Sequence, residues 1–308
     1  MELNPSKNDT SSRWLIISAF AAVYIIWGST YLGIKYAIET LPPFLMSGFR
    51  FLMAGTILYG WALYQKTPAP EPVHWKNSFV IGAFLLLCGN GIVVWAEHFI
   101  DSSTAALLIT LEPIWIVFLL WLYAKQKPSM AILIGVIIGI IGMVLLTGSV
   151  SFSGFRQVDL RGVIGISFST LAWAIGSLYS IKAKIPSSSI QATGMQMLAG
   201  GLMLLMVGTV AGEWNETHFE NFSWRSVLAF LYLTLLGSLI GYTAYSFLLK
   251  HAHPNHVATY AYVNPVIAVY LGWALADEKI TFQTIIASVL LIGAVVIITT
   301  YSKKKKNS

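Results

Sequence analysis

Residues 102–129, SSTAALLITLEPIWIVFLLWLYAKQKPS, decide how the chain is read, because an acid-proline pair sits inside a long apolar run and the stretch recurs. It lies without a gap on residues 254–281, PNHVATYAYVNPVIAVYLGWALADEKIT. Ala106 meets Ala258, Pro113 meets Pro265, Val117 meets Val269, Leu119 meets Leu271, Trp121 meets Trp273, and Lys127 meets Lys279. Glu112 meets Asn264. A proline repeated at one depth predicts two half-molecules, each with one broken or kinked helix near its middle.

Composition states what surrounds those helices. Of 308 residues 56% are hydrophobic and only 10% are charged, and the mean hydropathy is +0.70. A water-soluble chain of this size needs more charge to cover its surface. Ten apolar runs come near the ~20 residues that span a bilayer as a helix: 14–36, 43–64, 77–96, 102–124, 129–147, 160–181, 189–211, 225–249, 255–276 and 281–301. They are continuous rather than alternating, which excludes a transmembrane β-barrel. The polar start, MELNPSKNDTSSR, runs into the first of them with no small-residue cleavage site, so an uncleaved first span is expected. The lone Cys88 has no disulfide partner.

The net charge of +6 is distributed by side. Lys7, Arg13, Lys66, Lys76, Lys125, Lys127, Lys182, Lys184, Lys250 and Lys303 to Lys306 fall on one set of connections; Lys35, Arg156, Arg161, Arg225 and Lys279 fall on the other, with the acidic loop of Glu213, Glu216 and Glu220. The positive-inside rule then puts both termini in the cytoplasm. The lysine tail reads as a topology anchor or anionic-lipid contact, and no nucleic-acid partner is expected.

Candidate cavity residues come next. The first run ends in WGSTYLGIKYA, with Trp27 and Tyr31, and its echo WAIGSLYSIKAK carries Trp173 and Tyr179. In the second run Arg50 lies about 10 Å into a helix at 1.5 Å per residue, where its side chain either snorkels to the outer interface or finds a partner in Glu39, Glu97 or an anionic substrate group. Its counterpart in the seventh run is Gln196. The third run carries Gly89, Asn90 and Gly91 at mid-depth and Trp95, Glu97 and His98 at its outer end, and its echo carries Tyr242 and Tyr245. Mid-span glycines predict close helix contact or local unwinding. Glu97 and His98 read either as a proton relay or as hydrated interface groups.

Glu112 is the strongest single pointer, since it sits near the centre of its span and cannot snorkel to either surface. It is either a group that titrates during function or a protonated acid satisfying the carbonyl that Pro113 frees. Trp115, Tyr262 and Asn264 join the cavity candidates, and Pro113 and Pro265 are the expected kinks. His251, His253 and His256 read as a polar turn rather than a metal site, because no carboxylate or thiolate completes the set. His74, in the proline-rich loop KTPAPEPVHWK, reads as solvated. The absence of a nucleotide loop, nucleophile triad or glycine-rich phosphate cradle argues against an energy-coupling ATPase within the chain, and no cofactor or metal is expected. Gly135, Gly139 and Gly142 give the fifth run one small-residue face, suited to scaffold or oligomer contacts.

WGSTY in the first run, GFRF in the second, WAEH closing the third, and AYVNP followed by Asp277 and Glu278 resemble the EamA-type permeases of the drug/metabolite transporter superfamily. The resemblance covers residues 14–301. It implies an all-α membrane protein of ten transmembrane helices built as two inverted five-helix repeats, 14–148 and 149–301, flanked by cytoplasmic tails 1–13 and 302–308. It implies an inner-membrane carrier, usually an exporter of amino acids, other metabolites or toxic compounds, with a cavity between the halves. A membrane-embedded enzyme using Glu97, His98 and Glu112, or a passive channel or uniporter, is the competing reading; the repeat and the lack of a convergent acid-base cluster favour the carrier. The expected partners are a small-molecule substrate, the lipid bilayer and, through Glu112, Glu97 or His98, a coupling proton. Monomer and homodimer both remain open.

Overall fold

All ten apolar runs are mainly helical over the part that the computed structural model describes, which comprises residues 7–125, 128–146, 158–252, 257 and 259–304. In chain order the helices are α1 Lys7–Ala37, α2 Pro43–Tyr64, α3 Pro72–Ile81, a π-helical segment Gly82–Gly91 and α4 Ile92–Ala96, then α5 Ser102–Ile109, α6 Glu112–Ala124 and α7 Met130–Leu146. There follow α8 Leu160–Lys182, α9 Ser189–Val210, α10 Trp224–Tyr232, a second π-helical segment Leu233–Tyr242, α11 Thr243–His251, α12 Tyr260–Ala276 and α13 Phe282–Lys304. Six stretches are long and apolar enough to cross a membrane: 13–37, 72–96, 102–123, 160–182, 189–210 and 224–251. The apolar stretches 130–146, 263–276 and 282–298 are shorter, and α2 has the length but carries Arg50. The expected histidine turn falls largely outside the described residues, at His253 and His256. His251 Nδ1 donates to the carbonyl of Phe247 at 2.9 Å, and the described residues hold no metal-binding cluster.

The helices pair in a reciprocal pattern. Helix α2 packs along α9, and α7 along α13. The segment Gly82–Gly91 lies on α8 and α9, while Leu233–Tyr242 lies on α1 and α2. Glycine is what brings α2 and α9 together. A Cβ on Gly55 would sit 2.8 Å from the backbone nitrogen of Leu198, and one on Gly194 would sit 2.8 Å from that of Tyr59, distances no side chain tolerates. The small-residue face of α7 is likewise used inside the chain: Gly135 and Gly142 meet Ile298 and Leu291 of α13. That corrects the oligomer-contact alternative for this face. Outside, Leu133, Ile137, Ile141, Ile285 and Val289 stand exposed, as apolar side chains do where the solvent is lipid.

Three local structures depart from regular helix. The first proline expected as a kink is instead a break: Thr110 and Leu111 bond back three residues, to Leu107 and Leu108 at 3.2 and 3.0 Å, and Pro113 stands in the first turn of α6. A first-turn N–H has no helical partner anyway, so proline costs nothing there. In the second copy Pro265 lies inside α12. The two ten-residue π-helical segments occupy matching places in the third and eighth runs. Helices α6 and α12 also end alike, on Lys125 (φ 51°) and Asp277 (φ 52°) in the left-handed region. Finally, His74 is partly exposed and also acts as a cap, its Nδ1 accepting from the Glu71 N–H at 3.1 Å to close the start of α3.

Candidate functional site

Both π-helical segments, the first turn of α6 and the middles of α1, α2 and α8 converge on a cavity of ≈ 80 Å³. Long π-helical stretches are rare and concentrate at functional sites. The cavity's polar lining is Thr30, Tyr31, Arg50, Asn90, Glu112, Ser169, Thr170, Tyr242 and Tyr260, and its broad apolar walls are Trp27, Phe51, Leu86 and Trp173.

Arg50 and Glu112 are each 3% exposed. Arg50 donates from Nη2 to Oδ1 of Asn90 at 2.7 Å and lies over the Phe51 ring, 4.4 Å from its centroid. Its Nε–H has no partner. The two carboxylates expected from sequence are elsewhere, for Glu39 pairs with Arg225 at 3.5 Å and Glu97 follows the end of α4. Glu112 accepts a hydrogen bond from the Tyr260 hydroxyl, so its partner is a phenol on α12 rather than the carbonyl freed by Pro113. A buried guanidinium with an unused N–H is costly until a negative or carbonyl group completes it.

Below these groups an aromatic cluster forms one wall. Ring centroids of Trp27 and Tyr245 are 4.9 Å apart, Trp27 and Trp173 5.6 Å, and Trp27 and Tyr260 5.7 Å. Hydrogen bonds hold it: Trp173 Nε1 donates to the Tyr245 hydroxyl at 3.0 Å, Ser177 joins that hydroxyl at 2.9 Å, and Trp27 Nε1 donates to the Gly237 carbonyl at 3.2 Å.

Of the residues singled out by sequence, Trp27, Tyr31, Arg50, Asn90, Glu112, Trp173 and Tyr242 line the cavity. Tyr245 stands behind the aromatic wall. Gln196 accepts from the Tyr242 hydroxyl at 3.0 Å and faces a different cavity. Trp115 donates to Thr170 Oγ1 at 3.1 Å, and Trp95 stacks edgewise on Phe99 at 4.9 Å. Tyr179 lies at the end of α8, donating to Asn77 at 2.7 Å. Asn264 is buried with neither side-chain atom hydrogen-bonded and does not line the cavity, and the Tyr262 side chain lies outside the described residues. Sequence reasoning missed Ser169, Thr170 and Tyr260. Tyr260 is one helical turn before Asn264, and Ser169 one turn before Trp173, so the i, i+4 spacing carried the signal.

At one end of the helix bundle, Lys35 Nζ pairs with Glu278 Oε1 at 2.8 Å. Glu278 also accepts from the Ser102 N–H and hydroxyl at 3.0 and 2.7 Å and from the Ser103 N–H at 3.1 Å. Burial alone would raise this carboxyl, but the bonds from Lys35, Ser103 and Ser102 outweigh it and hold it below the ordinary value. Glu97 is different: buried, with neither oxygen hydrogen-bonded, it is pushed well above the ordinary value by desolvation and by Glu278, against a smaller opposing pull from Lys35. His98 beside it is exposed and has no bond to Glu97, so the two do not form a relay in this structure.

Apolar helices around a polar interior cavity define a helical membrane protein of the transporter class. The chain belongs to the EamA-like transporter family, whose model matches residues 13–148 and again residues 160–300. It is 34% identical over 285 residues to the "uncharacterized inner membrane transporter YedA" of Escherichia coli K12, covering 92% of this chain and 90% of that protein. It is 22% identical to the "uncharacterized transporter YoaV" of Bacillus subtilis over 94% of this chain and 99% of that one. A crystal structure at 19% identity superposes with a TM-score of 0.65, over 92% of this chain and 98% of the other, and so shares the fold. Membership of this family, with relatives named as transporters, points to a transporter and not to a membrane-embedded enzyme.

Proposed function

We propose that the chain is a secondary carrier that moves small amphipathic metabolites, amino acids among them, across the inner membrane by alternating access. The observation that carries this reading is that Arg50 and Glu112, opposite in charge type, are buried in the wall of one cavity whose other walls are aromatic. A carboxylate or other acid group completes Arg50, an amine or donor group meets Glu112, and a flat apolar body lies on Trp27 and Trp173. Ten transmembrane helices in two inverted repeats, 14–148 and 149–301, with both termini cytoplasmic, suit the reciprocal packing of α2 with α9, α7 with α13 and each π-helical segment with the opposite half. With that orientation, the Lys35–Glu278 network closes the outer end.

The test is counterflow in proteoliposomes with a panel of labelled amino acids and small organic acids. A carrier shows saturable exchange that Arg50→Gln abolishes. Non-saturable flux down the gradient, indifferent to Arg50, would establish a channel instead.

A further inference from the structure

A second and larger cavity, ≈ 400 Å³, opens between the end of α8, the start of α9 and α11. It falls in the size range of small-molecule sites, roughly 300–1,000 Å³. Its polar lining is Ser180, Ser187, Ser189, Thr193, Gln196, Ser246 and Lys250, and its apolar lining includes Leu85 and Leu249. No carboxylate lines it. Lys250 Nζ donates to the Pro186 carbonyl at 3.3 Å, and among the described residues no acid pairs with it. An ammonium facing hydroxyls and a neutral carbonyl has spare donors and no counter-charge.

The position of this cavity is as informative as its lining. Gln196 lines it, Tyr242 lines the central cavity, and the Tyr242 hydroxyl donates to Gln196 Oε1 at 3.0 Å. Neighbouring leucines on one π-helical segment divide in the same way: Leu85 faces this second chamber and Leu86 the central one. One hydrogen-bonded pair therefore forms much of the partition. Beyond it the next cation is Arg50, with its Nε–H unused.

We propose that this vestibule is a loading site for a small amphipathic organic anion, whose acid group rests on Lys250 and whose apolar part lies against Leu85 and Leu249 before it passes the Tyr242–Gln196 partition. The proposal rests on the carrier reading and on the cytoplasmic placement of this end. Amines without an acid group find no counter-charge here, so the vestibule selects for charge ahead of the central cavity. A lipid phosphate offers the same negative charge, and the experiment separates the two.

Purified Cys88→Ser protein carrying Ser187→Cys is placed in phosphatidylcholine nanodiscs and modified with N-ethylmaleimide. Benzoate is expected to slow the reaction roughly fivefold near saturation, benzylammonium to leave it unchanged, Lys250→Gln to remove the benzoate effect and Lys250→Arg to keep it. Equal protection by benzylammonium, or protection that survives Lys250→Gln, overturns the proposal. Slowing by phosphatidylglycerol in the disc with none by benzoate assigns the vestibule to a lipid headgroup and also overturns it. Saturable counterflow in the same preparation keeps the carrier reading standing when the vestibule fails, so the two fail separately.

Discussion

Lys35 and Glu278 are joined at 2.8 Å by an ion pair between α1 and the turn that follows α12. Glu278 reaches back because Asp277 takes a left-handed backbone, and it is accommodated because residue 272 is glycine, where a Cβ would come within 2.3 Å of its Oε2. The same carboxylate caps the start of α5 through Ser102 and Ser103. One side chain thus ties three elements together at one end of the cavity.

Removing that tie should open the outer side. In a Cys88→Ser, Thr30→Cys background, Glu278→Gln is expected to speed modification of the cavity cysteine by a membrane-impermeant thiol reagent added outside. Lys35 is 29% exposed, so solvent screens the pair and the loss of stability is about 1–3 kcal/mol rather than the larger cost of a fully buried pair. Unchanged labelling would show that other contacts close this end.

Glu97 gives the pH dependence a definite sign. Its carboxyl is pushed above the ordinary 4.5, so the folded chain keeps a proton that the unfolded chain releases. Stability from this group is complete below 4.5 and declines as pH rises from there through the folded value. Thermal unfolding followed between about pH 5 and pH 8 should show a falling midpoint, and Glu97→Gln should flatten it. A slope that persists in Glu97→Gln assigns the pH dependence to another group.

The ten apolar runs were legible because lipid-facing helices need continuous apolar sequence, and Pro42 and Pro43 marked the start of α2 to the residue. The π-helical segments were only half legible: Gly89 and Gly91 signalled irregular backbone, but a change of hydrogen-bond register has no compositional signature of its own. Pairings over long separations were the least legible. Of the partners expected for Arg50, the carboxylates Glu39 and Glu97 stand elsewhere and Asn90 meets it, and nothing in one sequence brings Tyr260 to Glu112, since helical spacing reports faces and not which helix stands opposite. The glycine face of α7 was visible, but what covers it, α13, was not.

Arg50 separates function from stability. Its guanidinium is buried with Nε–H unused, and exchanging a poorly satisfied buried ion for a neutral group is often neutral or stabilising. Arg50→Gln should therefore insert and unfold at a midpoint no lower than the native protein, while saturable exchange in proteoliposomes falls at least about tenfold, equivalent to about 1.4 kcal/mol. Full transport in Arg50→Gln would leave the arginine as a packing element against Phe51 and Asn90.

Glu112 and Tyr260 connect the cavity to the breaks in the helices. Glutamine at 112 offers an oxygen that accepts the Tyr260 hydrogen as the carboxyl does, so Glu112→Gln should preserve the fold and substrate exchange. It cannot ionise, and if this residue carries the coupling proton, accumulation driven by a pH gradient should disappear while exchange continues. Tyr260→Phe makes the opposite change, keeping the acid but leaving it without a donor at a cost of about 1–3 kcal/mol. The prolines act on motion: Pro113→Ala lets α5 run on into α6 through the turn at Thr110 and Leu111, and Pro265→Ala restores a missing backbone donor inside α12. Both are expected to slow exchange and pH-driven accumulation together, whereas Glu112→Gln affects accumulation alone. Accumulation at the native rate in Glu112→Gln would remove the residue from proton coupling and leave it as the hydrogen-bond partner that holds α12 against the break in the fourth run.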